Sequence, residues 1–400
     1  MATLDAWLGI SMDTADLNRL VRDFQTQEFS DDAYAIVSGD LFEGVYEAVY
    51  LLGYEFAFTS ERAFGTATTY LESISVAGVW TPVLTIDGAS FPADAFYQAA
   101  LTTSTADDAA LFSAILAGDD LIRLSAYDDQ VRGGSGNDHF EGRGGNDALD
   151  GGTGYDVSQY SGLANGYRVI VGPAAVEVVD RFGGEGSDTL VGFEEVQFED
   201  RSIEMAWLSG AARASAAQFS DLTDMYIAYF DRAPDAVGLL YWASRLDDGM
   251  SLGEVARSFF VQPETLAVFP PGQTTEAFIA DVYGNVLGRE PDAAGLAYWA
   301  SDLDAGRVSQ DEFILAVIYG ARAATGSPLD ALYLANRNAV GRDFAVDEGL
   351  NNLAWARAVM QQVDGTAESV RAAAVAIDAY AGAAASDSPD LVVQIVGLAG

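Results

Sequence analysis

The chain has 400 residues, half of them hydrophobic, and a formal net charge of −40. Length and apolar content allow roughly two to four domains with sizeable cores, while the charge argues against nucleic acid and anionic membrane surfaces as partners. All 20 basic residues are arginine and cysteine is absent, which removes disulfides, thiol nucleophiles, Cys-ligated zinc, Schiff-base lysines and the P-loop lysine. The one histidine, His139, leaves no HExxH site and makes a His-based triad a poor fit.

The first residues, MATLDAWLGISMDTADLNRLVRDF, carry neither a basic start nor a long apolar core, so they do not read as a Sec signal peptide. Residues 1–25 are expected to form a short amphipathic helix. No run of about 18 apolar residues occurs anywhere, so no membrane-spanning helix is predicted. Residues 42–88 read as strands: Tyr54, Phe56 and Phe58 alternate with Glu55, Ala57 and Thr59. Helices are expected around ADAFYQAAL and DAALFSAIL within residues 90–117. Glycine and aspartate then dominate residues 118–158, and strands return in YRVIVG, AVEVVDRF and EEVQFED between 165 and 205. From about residue 206 to 382 helix periods prevail, and SDSPDLVVQIVGLAG closes the chain as a polar linker with an apolar tail.

The glycine-rich tract has a register. Asp120, Asp129, Asp138, Asp147 and Asp156 follow one another at intervals of nine residues. Two positions after them stand Ile122, Val131, Phe140, Leu149 and Ser158; two positions before stand Gly118, Tyr127, Gly136, Gly145 and Gly154. This is G-G-x-G-x-D-x-U-x, complete in 133–141 and 151–159, with Arg143 at the second glycine of 142–150 and degenerate copies before them. A separate complete copy, GGEGSDTLV, spans 183–191 and contributes Asp188 and an inward Leu190. A flexible acidic linker has no need of such a register.

On these residues the sequence resembles the RTX family of secreted proteins. The resemblance implies a parallel β-roll with two nonapeptides per coil. Residues 18 apart then stack, with Asp120, Asp138 and Asp156 on one edge and Asp129 and Asp147 on the other. It also implies calcium as the cofactor, at a flexible site of six to eight oxygens. The ligand residues so implied are Asp120, Asp129, Gly134, Gly136, Asn137, Asp138, Gly145, Asn146, Asp147, Gly152, Gly154, Asp156 and Asp188, with backbone carbonyls beside the carboxylates. His139 is expected to be a solvated side chain. The stretch from Tyr155 to Asp200 resembles the strand module that closes such rolls.

A second repeat lies downstream. RAPDAVGLLYWASRLDDG (232–249) returns as REPDAAGLAYWASDLDAG (289–306), offset by 57 residues. Asp235 and Asp292 are expected to cap the helix that follows each proline. Leu239, Trp242 and Leu246 recur on one buried face, and Gly249 and Gly306 end that helix. Ser251–Glu254 and Ser309–Glu312 read as capping boxes. Both tryptophans are expected in the core, and Arg232 and Arg289 are expected on helix-end carbonyls or on the Asp235 and Asp292 side. The pattern resembles a helical domain of unknown function found beside RTX repeats and is similar to phycobilisome-linker domains.

The expected fold is multidomain α+β. A β-rich region with flanking helices fills 1–117, a short parallel β-roll with a strand cap 118–205, and an all-α helical repeat domain 206–382. A tail at 383–400 resembles a type I secretion signal. The function expected is that of a secreted, non-enzymatic calcium-binding protein, exported by type I machinery to the exterior or surface of a Gram-negative cell. Its partners there are self or a surface polysaccharide. The alternatives are a carbohydrate-binding module, using Trp80 and Tyr97, or a hydrolase with a carboxylate pair in the N-terminal region. "GGSGND" lacks the strand–Ser–helix context of a nucleophile elbow.

Overall fold

The computed structural model describes residues 1–8, 10–12, 15–22, 24–30, 33–40, 45–58, 62–76, 79–387 and 391–396. The chain forms two compact units: residues 1–166 with 174–205, and residues 167–173 with 206–400.

In the first unit three long strands, Val45–Phe58, Ala63–Val76 and Val79–Pro92, pair antiparallel as a meander. Phe24–Phe29 and Ala33–Asp40 extend it at one edge. The helices Ala93–Leu101 and Thr105–Ile115 cover one face, where the buried Tyr70 ring lies 6.1 Å from Phe96 and 5.7 Å from Phe112. The alternation expected at Tyr54–Phe58 breaks at a bulge. Glu55 takes a left-handed φ of 61°, the pairing register shifts between Tyr54 and Ala57, and Phe56 is buried while Tyr54 is exposed.

The expected helix over residues 1–25 is corrected. Thr3–Ala6 is a strand between two partners, antiparallel to Val79–Pro92 and parallel to Leu121–Arg123, and only Asn18–Arg22 is helical. Burial of Ala2, Leu4 and Ala6 between those partners overrides local helix preference.

From Leu121 to Gln159 the strands are three residues long and parallel. Leu121–Arg123, His139–Glu141 and Val157–Gln159 pair in sequence on one sheet. Gln130–Arg132 and Ala148–Asp150 pair on the other. Ile122, Val131, Phe140 and Leu149 are buried between the two faces, as their phase in the repeat requires.

The second unit is helical. Asp235 and Asp292 cap their helices by accepting from Gly238 N and Gly295 N, each at 2.7 Å. Both capping boxes form, at Ser251–Glu254 and Ser309–Glu312. Gly249 and Gly306 follow the helices Ala236–Asp247 and Ala293–Asp304 in left-handed conformations, φ 95° and 62°. Leu239 and Leu246 are buried and Trp242 half-buried, but no residue of Ala293–Asp304 is fully buried. The expectation of two core tryptophans is therefore corrected: the second helix keeps both rings of Tyr298 and Trp299 partly in solvent. In the tail, Val392–Ile395 is a strand parallel to Tyr167–Val171, and Leu391, Val392 and Val393 are buried.

Candidate metal centre

Each coil of the glycine-rich tract consists of two turns and two short strands, and successive coils are offset by 18 residues. The turns place the repeated aspartates in two ladders. In the first, Asp120 N donates to Asp138 Oδ1 at 2.9 Å, Asp138 N to Asp156 Oδ1 at 2.8 Å, and Asp156 N to Glu194 Oε2 at 2.7 Å. In the second, Ile10 N donates to Asp129 Oδ1 at 2.6 Å, Asp129 N to Asp147 Oδ1 at 2.9 Å, and Asp147 N to Asp188 Oδ1 at 3.0 Å. Ala2 N donates to Asp120 Oδ1 at the start of the first ladder. One oxygen of each aspartate therefore stitches neighbouring turns together.

The second oxygen distinguishes the sites. Asp129 Oδ2 accepts from Ser125 N at 2.8 Å and Ser125 Oγ at 2.9 Å, and Asp188 Oδ2 accepts from Tyr160 Oη at 3.0 Å. The Oδ2 atoms of Asp120, Asp138, Asp147 and Asp156 are buried without any donor. Burial and neighbouring carboxylates both oppose ionisation there. Burial, with the charge of Asp156, raises Asp138 from 3.8 to about 7; burial, with the charge of Asp188, raises Asp147 from 3.8 to about 8. Burial likewise raises Asp120, Asp129 and Asp156, and takes Asp188 to about 6. A cation beside these oxygens removes the penalty by pairing with the charged form.

Backbone oxygens lie at the same places. A Cβ built on Gly133 would sit 2.2 Å from Asp138 Oδ2 and 2.8 Å from the Gly151 carbonyl oxygen. One built on Gly151 would meet Asp156 Oδ2 at 2.8 Å and the Gly192 carbonyl at 2.5 Å. Among the described residues no group of three or more Asp, Glu or His side chains converges on one point. One or two aspartates together with carbonyl oxygens would hold an ion here, a hard all-oxygen donor set that suits calcium.

The glycines of the repeat shape the turns. Gly134, Gly136, Gly145, Gly152 and Gly154 all have φ between 96° and 141°. Close approach is the second requirement: a Cβ on Gly154 would lie 1.7 Å from the Gly136 carbonyl oxygen, and one on Gly136 2.0 Å from that of Gly118. Arg143, at a glycine position of the repeat, takes a left-handed φ of 66°. Asn137 and Asn146 lie outside the ladders. Asn137 Oδ1 accepts from Tyr155 N at 2.8 Å and Asn146 Oδ1 from Ser187 N at 3.1 Å, so their side chains tie the outer rims of adjacent turns. His139, half-buried on its strand, pairs its Nε2 with Gln159 Oε1 at 2.6 Å.

The structure adds residues that the nine-residue register did not reveal. Thr3–Ala6 and Ser11 bridge to Leu121–Arg123 and Gln130, so both segments lie on the first coil as a further turn would. Ser187–Val191 continues the second ladder beyond Ala148–Asp150, and Glu194 stands where the first ladder's next aspartate belongs. Ser125 and the Gly192 carbonyl also fall outside the motif, while the Gly151 carbonyl belongs to the first glycine of the 151–159 copy. Glu194 and Ser125 had no signal in the sequence, because their contacts span chain separations of 38 and 4 residues with no repeat to mark them.

Buried aspartates repeated on stacked glycine turns define a class of repeat that binds cations. Residues 123–157 match the family model described as RTX calcium-binding nonapeptide repeat (4 copies), and such repeats are calcium-binding. Residues 256–322 match a domain of unknown function, DUF4214, over the second copy of the helical duplication. No curated protein matches the chain. Among solved structures, the extracellular lipase LipA from Serratia marcescens is 22% identical, with a TM-score of 0.19; the match covers 20% of this chain and 13% of that one.

Proposed function

We propose that residues 118–205 form a calcium β-roll closed by its strand cap, and that Asp120, Asp138, Asp147 and Asp156 are its side-chain ligands. The observation that carries this reading is the set of buried, donorless Oδ2 atoms on these four aspartates. Asp129 and Asp188, with protein donors on both oxygens, act as ladder rungs. Gly134, Gly136, Gly145, Gly152 and Gly154 supply the turns, and Asn137 and Asn146 join their rims.

The chain in this reading is a secreted, non-enzymatic protein. It folds on calcium after type I export and resides in the matrix or at the surface of a Gram-negative cell. In a calcium-poor cytosol the repeats stay unfolded and threadable. Outside, calcium at 100 times the dissociation constant contributes about 2.7 kcal/mol per site. The 206–382 array serves attachment. The 383–400 tail is the candidate export signal. For hydrolysis, the pair to consider is Glu47 and Glu72. Arg19 bonds both, at 2.6 Å and 3.0 Å, and occupies the space between them as an ion cluster.

Calorimetric titration of the chelator-treated chain tests the reading. Two or more ions should bind as β signal rises, and Asp138→Ala with Asp156→Ala should abolish both. Absence of binding at millimolar calcium would make the nine-residue register a relic.

A further inference from the structure

The first helical module holds a cavity of about 400 Å³ lined by Tyr226, Phe230, Arg232, Trp242, Phe259 and Gln262, with Glu264 beside them. That volume falls within the range of small-ligand sites. Its walls are aromatic. Trp242 and Phe259 meet edge to face at 5.2 Å, Tyr226 and Phe259 at 5.1 Å, and Phe230 lies 4.7 Å from Phe259. Core packing alone would close these rings on one another, yet Trp242 remains half-exposed along the opening.

The polar groups of the cavity narrow the ligand class. Arg232 is buried, and its guanidinium is committed: Nε and Nη2 reach Glu264 at 2.8 and 3.1 Å, and Nη1 reaches the Ala233 carbonyl at 2.8 Å and Asp235 at 3.2 Å. Glu264 also accepts from Arg357. With each charge already paired, the site offers no surplus charge to an ionic ligand. The Tyr226 hydroxyl is different. Tyr226 is 3% exposed and lines the cavity, yet its hydroxyl makes no hydrogen bond to any described residue. Gly238 leaves room for it, since a Cβ there would lie 2.5 Å from that oxygen. A ligand hydroxyl entering the cavity can hydrogen-bond to it. Gln262, exposed at the rim, adds its amide oxygen, its Nε2 donating to the Ser258 carbonyl at 3.0 Å.

We propose that this cavity binds a neutral hexose unit of a saccharide. A pyranose has an apolar C–H face, which suits the Trp242 ring, and a periphery of hydroxyls, which suits the Tyr226 hydroxyl and the Gln262 amide. A quaternary ammonium would need an unpaired negative charge or a closed cage, and Glu264 is shared by two arginines. The duplication supplies an internal comparison. Tyr283, Arg289 and Trp299 repeat Tyr226, Arg232 and Trp242, but Leu287 replaces Phe230, and Arg289 is 42% exposed on its ion pair with Asp330. The capping boxes at Ser251 and Ser309 align Val317 with Phe259, so the second module lacks two aromatic walls and serves as the control.

The cavity lies wholly in the helical unit, so its test and the calcium titration fail independently. The full chain, loaded with calcium, is probed with methyl glucoside, methyl galactoside and methyl mannoside by saturation-transfer NMR and tryptophan fluorescence. At least one should bind saturably in the millimolar range. Trp242→Ala should weaken it more than tenfold, and Gln262→Ala, at an exposed position, severalfold; Trp299→Ala should leave it unchanged. Far-UV circular dichroism checks that each variant is folded. The proposal is overturned if none of the three sugars binds saturably, if Trp242→Ala and Gln262→Ala both bind as well as the parent, or if benzyl alcohol fills the cavity and the sugars do not.

Discussion

Removing calcium from the repeats should unfold them at pH 8 and leave the helical unit intact. The size of the effect follows from four buried Oδ2 atoms, on Asp120, Asp138, Asp147 and Asp156, that have no donor. Each unsatisfied buried acceptor costs roughly 1–3 kcal/mol, and more when charged, so the four together cost about 4–12 kcal/mol. That equals the whole stability of an ordinary domain, about 5–15 kcal/mol. Protons can substitute for the cation. The folded-state values, about 7 for Asp138 and about 8 for Asp147, lie above the unfolded value of 3.8, so the folded state binds more protons throughout the intervening range. Stability in chelator is then greatest below pH 4 as far as these groups decide it, and is lost as pH rises towards 8. The assay is amide hydrogen exchange in excess chelator at pH 5 and pH 8, corrected for intrinsic rates, with and without calcium. The amides of Asp120, Asp129, Asp138 and Asp147, which form the ladders, should lose protection at pH 8 in chelator alone. Protection that is equal at both pH values without calcium would refute the argument, because the orphaned oxygens would then carry no penalty.

Three other outcomes follow from the same geometry. Asp138→Asn should lower calcium stoichiometry, whereas Asp129→Ala should leave the stoichiometry intact and cost about 1–3 kcal/mol, since it strands the Ile10 and Ser125 amides; titration and thermal unfolding in calcium separate the two. Gly154→Ala should prevent the coils from closing, because its Cβ meets the Gly136 carbonyl, while Arg143→Gly relieves a left-handed arginine and should stabilise the calcium-loaded repeats by about 1 kcal/mol; melting temperatures should move in opposite directions. Asp235→Ala removes the cap on Gly238 N and should cost the helical unit about 1 kcal/mol by denaturant unfolding, with calcium binding unchanged.

Several features were readable from the chain alone because their signals are local and repeated. The nine-residue spacing from Asp120 to Asp156 carried the turns and the inward phase of Ile122, Val131, Phe140 and Leu149, while the stacking of residues 18 apart came from the resemblance to the RTX family. The 57-residue duplication carried the Asp235 and Asp292 caps and the two capping boxes, whose hydrogen bonds lie within three residues. What only the tertiary structure decided depends on partners far away in the chain. Thr3–Ala6 reads as helix by pattern and becomes a strand because Leu121–Arg123 and Val79–Pro92 bury it from both sides. Val392–Ile395 pairs with Tyr167–Val171, more than 200 residues earlier, and no local signal marks such a pairing. The division of labour among the aspartates is of the same kind. All share one motif position, but Ser125 and Tyr160 satisfy Asp129 and Asp188 while Asp138, Asp147 and Asp156 keep a bare oxygen. A periodic sequence sets where each carboxylate stands; the side chains that fold against it set whether it needs a cation.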